Sequence, residues 1–223
     1  MGQGKQAKVL TQKQQDAVLA YFESHTRYPV RNRLIFLLSM KAGLRAKEIA
    51  SLRWRNVCDA EGATADEINI ENAGSKGESG RTIPMAPALK ETLQAYRSHL
   101  ALKAMPGMDR RTRDWTTIPS KHDGVEMDGF IIRTERGSTI SGVSAQVIVN
   151  LFQKWFGPEG MDFQGASSHS GRRTFITNAA KKISTVGGSL RDVQQLAGHS
   201  SLQTTQRYIE GDTEAKKAIV RIV

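Results

Sequence analysis

Apolar residues recur at helical spacing in the first fifty residues of the chain. Residues 11–14 read TQKQ, which has the S/T-x-x-E/Q form of a capping box at a helix N-terminus. The apolar positions that follow predict a first helix over residues 12–25. Pro29 suits the first turn of a second helix that Gly43 ends, and a short third helix should carry Glu48.

The stretch from residue 60 to residue 85 changes to an alternating pattern. Polar and apolar residues alternate over residues 67–70 and again over residues 81–85, and a glycine-rich segment lies between them. This pattern predicts a β-hairpin with Lys76 at its turn. The apolar residues 130–132 are predicted to add a third strand.

Helical spacing returns in most of the remaining sequence. Further helices are predicted over about residues 87–100, 147–155, 169–182 and 189–197. Ser189 and Asp192 form a second capping signal, Gly198 is a helix stop, and a tail helix should begin near Thr213. These elements predict an α+β fold that is mostly helical, with a small three-stranded antiparallel sheet.

Composition narrows the class of protein. The chain has 223 residues, and its 39% hydrophobic content is sufficient for a globular core. The apolar run Leu34–Met40 is too short to cross a bilayer, and the polar N-terminus has no signal-peptide stretch, so we expect a cytoplasmic protein with no membrane partner. A single cysteine cannot form an intramolecular disulfide, and no Cys/His cluster has zinc-site spacing, so we expect no metal.

The charge of the chain indicates a polyanionic partner. The formal net charge is +10, which ribosomal proteins, RNA-binding modules and membrane-surface proteins share. Its distribution favours nucleic acid, because residues 27–55 contain eight Lys and Arg residues and one acid, Glu48.

Three segments carry candidate chemistry. Residues 42–48 read AGLRAKE, residues 168–175 read SHSGRRTF, and residues 196–208 read LAGHSSLQTTQRY. They supply an Arg, then H-x-x-R, then G-H with a Tyr nine residues after the His, and the hairpin Lys lies between the first two segments. In order and spacing they resemble the signature of the tyrosine recombinases, which include the Xer recombinases and phage integrases. The resemblance spans roughly residues 10–210.

The resemblance implies a metal-free enzyme without a cofactor that cuts and rejoins DNA through a 3′-phosphotyrosine. It assigns catalytic roles to six residues and a supporting role to Glu48; the six are Arg45, Lys76, His169, Arg172, His199 and the nucleophile Tyr208. The chain departs from the family pattern at Lys47, where a small residue is common. It departs again at Gly171 and Arg173, where a hydrophobic residue and a His are common.

The chemistry of phosphodiester cleavage agrees with these roles. Two guanidiniums, Arg45 and Arg172, can bind the non-bridging oxygens on which negative charge develops. A phenol has an ordinary pKa of about 10, so a tyrosine nucleophile needs a proton acceptor, for which His169 is the candidate. Lys76 on the hairpin turn can protonate the departing 5′-oxygen. His199 would donate a hydrogen bond to the phosphate, and Glu48 would hold an active-site basic group.

Several assignments have structural alternatives. Lys41, Lys47 and Arg81 compete with Lys76 for the role of general acid. Both histidines could be capping or core residues, and Tyr208 could be a packed aromatic. The same residue set would also serve a type IB topoisomerase-like enzyme. A non-catalytic DNA-binding module on this fold and a basic RNA-binding protein are the remaining alternatives.

The predicted organisation is an extension over residues 1–10, a catalytic domain over residues 11–210 and a tail helix over residues 211–223. Most members of the family carry a helical DNA-binding domain before the catalytic one, and we expect that domain to be absent here. The tail is predicted to pack on a neighbouring subunit in a synaptic tetramer, with packing on its own domain as the alternative. Six residues are predicted to contact double-stranded DNA: Arg31, Arg33, Lys47, Arg53, Arg173 and Lys181.

Overall fold

The computed structural model describes residues 6–71, 80–104, 126–134 and 141–208. Lys76 and the predicted tail helix lie outside these ranges. Two short 3₁₀ turns, Trp54–Asn56 and Ile183–Val186, accompany the main elements. The main elements, in chain order, are α1 (Gln12–His25), α2 (Pro29–Lys41), α3 (Ala46–Ser51), β1 (Glu67–Ile70), β2 (Arg81–Pro84), α4 (Pro87–Ala104), α5 (Ala145–Phe156), α6 (Ser170–Lys182), α7 (Leu190–Ala197) and α8 (Leu202–Gln206).

The first two helices have the ends that their sequence predicts. The Gln14 N–H donates to the Thr11 hydroxyl at 3.3 Å, and the Thr11 N–H donates to the Gln14 side-chain oxygen at 3.1 Å. Helix α2 begins at Pro29 and ends before Gly43, whose φ of 64° lies in the left-handed region that favours glycine. Both predicted helices are confirmed.

Helix α2 lies at the centre of the core. Residues Leu34–Met40 are buried on all sides, because α1, α4 and α6 pack around this helix. The Phe22 ring of α1 lies 4.6 Å from the Trp155 ring of α5, in an edge-to-face contact that ties α5 to the same core. The turn between α2 and α3, which carries Arg45, is therefore anchored to the most buried helix described.

The predicted hairpin forms, but the predicted third strand is wrong within the described residues. β1 and β2 pair antiparallel, with Ile68 opposite Ile83, as a two-stranded sheet. Phe130 makes only an isolated bridge to Arg53 instead of joining the hairpin. The next two residues, 131 and 132, are both buried, whereas a strand sends successive side chains to opposite faces.

The C-terminal helices surround a second, smaller apolar cluster. Helix α7 ends at Gly198 with a φ of 60°, as predicted, while the short helix α8 was not predicted. Ile176, Val193 and Ala197 form the cluster, and Tyr208 packs against it. In the described parts of the chain, each helix is too short or too polar to span a lipid bilayer.

Candidate active site

The turn after α2 places Arg45 beside helix α6. A Cβ on Gly43 would lie 2.4 Å from the Phe175 ring of α6, so this turn approaches α6 more closely than any side chain at position 43 allows. Arg45 then stands at the N-terminus of α3, with its side chain 27% exposed. Its Nη2 donates to the Gly198 carbonyl at 3.3 Å. The guanidinium thus reaches across from α3 to the end of α7.

Glu48 is a fully buried carboxylate held by two arginines. The Arg45 Nη1 donates to Glu48 Oε1 at 2.8 Å, and the Arg45 backbone N–H donates to Oε2 at 2.8 Å. Arg81 of β2 donates to both carboxylate oxygens, at 2.9 and 3.1 Å. Burial alone would raise the pKa of Glu48, but the hydrogen bonds and charges of Arg81 and Arg45 outweigh burial and lower the pKa below its usual value. Glu48 is therefore ionised at neutral pH.

Arg172 lies in the first turn of α6 and is only 5% exposed. Its Nη1 donates to the Gly43 carbonyl at 2.7 Å, and its Nη2 donates to the Ala197 carbonyl. Burial, and then the charge of Arg45, lower the pKa of Arg172 to about 10. That value leaves the guanidinium charged at neutral pH. Arg172 therefore joins the α2–α3 turn to the end of α7, where Arg45 also binds a main-chain carbonyl, that of Gly198.

His199 follows this end of α7 and contacts the candidate nucleophile. Its ring stacks on the Tyr208 ring with centroids 5.5 Å apart and an interplanar angle of 24°. Its Nδ1 lies 3.0 Å from the hydroxyl of the buried Thr205. Burial, and then the charges of Arg172 and the other two arginines, lower the pKa of His199 to about 4. The imidazole is therefore neutral at neutral pH.

Tyr208 lies within electrostatic reach of Arg172. The Tyr208 side chain is among the groups that act to raise the pKa of Arg172, against the larger effect of burial. Arg173, one of the departures from the family pattern, places its guanidinium carbon 5.6 Å from the centroid of the Tyr208 ring. The phenol thus lies among cations and beside a neutral imidazole.

Of the predicted site residues, five come together: Arg45, Glu48, Arg172, His199 and Tyr208. His169 lies at the N-terminus of α6, three residues before Arg172, and is exposed. Its ring makes no hydrogen bond or ring contact with the described residues. Lys76 lies outside the described ranges, in the connection between β1 and β2.

A cavity of about 1020 Å³ opens beside this cluster. Arg45, Arg81 and His199 contribute to its wall, and much of the rest comes from α7, including Arg191. Three arginines in one wall suit a polyanion better than an apolar ligand. Among the described residues, no group of three His, Cys, Asp or Glu side chains is placed to hold a metal ion.

Three of the predicted DNA-contact residues bind other parts of the chain. The Arg31 guanidinium lies over the Tyr28 ring, 4.4 Å from its centroid. Arg33 pairs with Glu23 of α1 at 3.3 Å. Arg53 lies 4.1 Å above the Phe130 ring. These contacts hold the three guanidiniums against the protein surface.

The other three predicted DNA contacts are placed differently. Lys47 is exposed in the first turn of α3, two residues after Arg45. Arg173 is half-buried over Tyr208, as described above. Lys181 is exposed near the end of α6. Lys47 thus lies close to Arg45 in the sequence, and Arg173 lies over the ring of Tyr208.

Two residues of the site were not assigned a role from the sequence. The sequence presents Arg81 only as a competitor of Lys76, yet Arg81 lies on the same face of β2 as the buried Ile83. A charged arginine on the buried face of a strand needs a buried acidic partner. The alternation of β2 could therefore have identified Arg81 as a residue that pairs with a buried acid. Thr205, the partner of His199, lies in α8, where the sequence LQTTQ has no apolar periodicity to reveal an inward face.

Comparison with known proteins identifies relatives over nearly the whole chain. The sequence model of the phage integrase family matches residues 8–215. The tyrosine recombinase XerD of Xanthomonas campestris pv. campestris is 29% identical over 205 residues, which cover 90% of this chain and 54% of the relative. Tyrosine recombinase XerA of Thermococcus onnurineus is 28% identical over 184 residues, covering 82% and 52%. The chain spans about half the length of these curated relatives.

Solved structures share the fold. The crystal structure of XerA recombinase matches with a TM-score of 0.62 and 21% identity, over 95% of this chain and 63% of that one. XerH site-specific recombinase bound to palindromic difH substrate, a post-cleavage complex, matches with a TM-score of 0.67 and 17% identity, over 99% and 54%. At these identities the likeness shows the architecture alone.

Proposed function

This chain belongs to the phage integrase family, and we propose that it is the catalytic domain of a site-specific DNA recombinase or integrase that works through a 3′-phosphotyrosine at Tyr208. The observation that carries the proposal is the contact between the Tyr208 and His199 rings, 5.5 Å apart, beside the charged Arg172. The net charge of +10 and the arginines in the cavity wall support a DNA substrate. The XerH site-specific recombinase, which shares the fold, is itself bound to its palindromic difH substrate.

Arg45 and Arg172 are proposed to bind the two non-bridging oxygens of the scissile phosphate. Each nitrogen that donates to a carbonyl or carboxylate here keeps a second hydrogen for another acceptor. Charge that develops on these oxygens in the transition state would meet two cations already fixed by main-chain carbonyls. Fixed cations of this kind stabilise a transition state without reorganising.

His199 is proposed to donate a hydrogen bond to the same phosphate. A neutral imidazole has one N–H, and a Thr205 hydroxyl that donates to Nδ1 leaves this proton on Nε2. Thr205 would thereby select the tautomer that faces the substrate.

The covalent step is proposed to run in two balanced transfers. The Tyr208 oxygen attacks the phosphorus, His169 accepts the phenolic proton, and the bond to the 5′-oxygen breaks while Lys76 supplies its proton. In the second transfer, the 5′-hydroxyl of a partner strand gives its proton to Lys76 and attacks the phosphorus, and His169 returns its proton to the Tyr208 oxygen as the bond to phosphorus breaks. Neither a metal nor a cofactor takes part in this scheme.

We propose that the chain acts on double-stranded DNA as one subunit of a four-subunit assembly. We assign the catalytic domain to residues 11–210 and propose that it acts in the cytoplasm. Of the six proposed DNA-contact residues, Lys47 and Arg173 would lie nearest the reacting phosphate. Residues 211–223 are proposed to dock on a neighbouring subunit of a four-subunit complex. Deleting them should weaken assembly on DNA, measured by sedimentation, and spare cleavage of a single site.

The test is covalent trapping on DNA. A pool of nicked duplexes with randomised cores would be incubated with the protein, and adducts separated by denaturing electrophoresis. We expect an adduct with the wild type and none with Tyr208→Phe, which should bind DNA within about threefold of the wild type because only the nucleophilic oxygen is lost. An adduct with the Phe variant would show that another residue is the nucleophile.

A second assay separates the two reaction classes. Relaxation of a supercoiled plasmid without exchange between two copies of the selected site would reassign the chain as topoisomerase-like. Failure of the wild type to form any adduct would favour a non-catalytic DNA-binding module.

A further inference from the structure

Arg81 connects three segments of the site, and each of its three guanidinium nitrogens donates to a protein acceptor. Its Nη1 and Nη2 donate to the two oxygens of Glu48, and its Nε donates to the Leu196 carbonyl at 2.9 Å. The side chain is only 7% exposed. A Cβ on Gly198 would lie 2.9 Å from the Arg81 Nη1, so the chain just before His199 rests directly on this guanidinium.

The contacts of Arg81 determine how Glu48 can bind Arg45. A carboxylate normally accepts a two-pronged hydrogen bond from an arginine. Here Arg81 makes that bond, and only one oxygen of Glu48 binds the Arg45 side chain, through Nη1. The Arg45 Nη2 is thereby directed to Gly198 and the cavity instead of to Glu48.

We propose that Arg81 is a positioning residue for the reaction: it occupies Glu48 so that Arg45 presents its outer N–H groups to the phosphate, and it fixes β2 to the end of α7 that carries His199. The proposal rests on the proposed function. Without Arg81, Glu48 would draw the Arg45 guanidinium into a two-pronged pair and away from the phosphate. A displacement of this kind can reduce the rate of a chemical step by about a hundredfold.

The test compares Arg81→Gln with Arg55→Gln as a matched control. Arg55 also binds two acids, Glu71 and Asp128, but these pairs are exposed and lie outside the site. Both variants remove one positive charge. With saturating protein on the selected nicked duplex, we expect adduct formation to slow by roughly a hundredfold for Arg81→Gln and to stay within about twofold for Arg55→Gln. Non-covalent DNA binding should change equally little in both.

A methylphosphonate at the scissile position separates positioning from folding. This group carries no negative charge on its non-bridging oxygen, so it needs the Arg45 guanidinium less. We expect the defects of Arg81→Gln and of the reference variant Arg45→Ala to shrink together on this substrate. A loss of folded protein would reduce the rate on both substrates by the same factor.

The charge-preserving variant Arg81→Lys covers the case in which Arg81→Gln folds poorly. Lysine supplies one point contact in place of the fork, so we expect an intermediate rate and the same relief by methylphosphonate. Equal defects on the two substrates, or wild-type cleavage by either variant, would overturn the positioning role. Absence of any adduct with the wild type would instead refute the proposed function itself, and this proposal with it.

Discussion

Replacing Gly171 with alanine should force helices α6 and α2 apart. Gly171 is buried in the first turn of α6, and an added Cβ would lie 2.2 Å from the Oγ of Ser39 and 2.7 Å from its Cβ. Ser39 is fully buried in α2, the central helix. Overpacking a core typically destabilises by about 1–3 kcal/mol, and we take about 3 kcal/mol because the new methyl also meets the Cβ and backbone of a central helix.

Helix propensity opposes part of this effect. Alanine is more favourable than glycine inside a helix by about 1 kcal/mol, so the expected net loss is about 2 kcal/mol. For a domain of this size the loss corresponds to a fall in Tm of about 4–8 °C. Cleavage should fall as well, because displacement of α6 carries Arg172 away from the Gly43 carbonyl, now 2.7 Å from its Nη1.

Thermal and urea unfolding of four proteins would measure the effect: the wild type, Gly171→Ala, Ser39→Gly and the double variant. Ser39→Gly removes both side-chain atoms that the new methyl meets, so Gly171→Ala should be much less destabilising in that background. An unchanged or higher Tm for Gly171→Ala alone would show that the close approach of α6 to α2 does not exclude a side chain at position 171.

Three further outcomes are expected. The imidazole of His199, with its pKa lowered to about 4 by burial and then by Arg172, should stay neutral at pH 6 in an NMR titration of the free protein, and a midpoint near the ordinary pKa of 6.5 would contradict this. The unfolded state, with the ordinary pKa of 6.5, binds this proton more readily than the folded state. The contribution of His199 to the free energy of unfolding should therefore be fully present above pH 6.5 and be lost as the pH falls toward 4. Glu48→Gln should lower the free energy of unfolding by about 3 kcal/mol in urea titrations, since it leaves buried arginines without their counter-charge, whereas Glu71→Gln in an exposed pair should cost less than about 1 kcal/mol; equal losses would argue against the buried pair. Thr205→Val should slow cleavage about fivefold in single-turnover assays, the equivalent of a hydrogen bond worth about 1 kcal/mol, and a wild-type rate would show that Thr205 does not hold His199.

Helix ends were the most predictable part of the fold. Thr11 with Gln14, Pro29, and Ser189 with Asp192 act on backbone groups within three residues, so their effect is legible in the local sequence. The strand predicted over residues 130–132 is wrong because the bridge partner of Phe130, Arg53, lies far away in the sequence. A local pattern contains no information on which distant segment a short apolar run will meet.

The residues of the candidate site likewise divide into those that the sequence identifies and those that depend on distant contacts. The spacing of Arg45, Arg172, His199 and Tyr208 was sufficient to select residues that the structure places together. The role of Arg81 depends on its ion pair with Glu48, which lies 33 positions earlier in the sequence. Only the folded structure shows that the two side chains meet. Gly171 departs from the family pattern, and the close approach of Ser39 supplies its reason.

Tyr208 and the two arginines proposed to bind the phosphate, Arg45 and Arg172, belong to parts of the molecule that differ in their number of buried apolar contacts. Arg45 and the start of α6 are fixed to the central helix α2, whereas Tyr208 follows a five-residue helix and packs on the small cluster of Ile176, Val193 and Ala197. Segments with few buried apolar contacts open at a free energy well below that of global unfolding. Amide hydrogens of α8 should therefore exchange faster than those of α2, and we expect Tyr208, the proposed nucleophile, to leave its position while Arg45 and Arg172 stay in place.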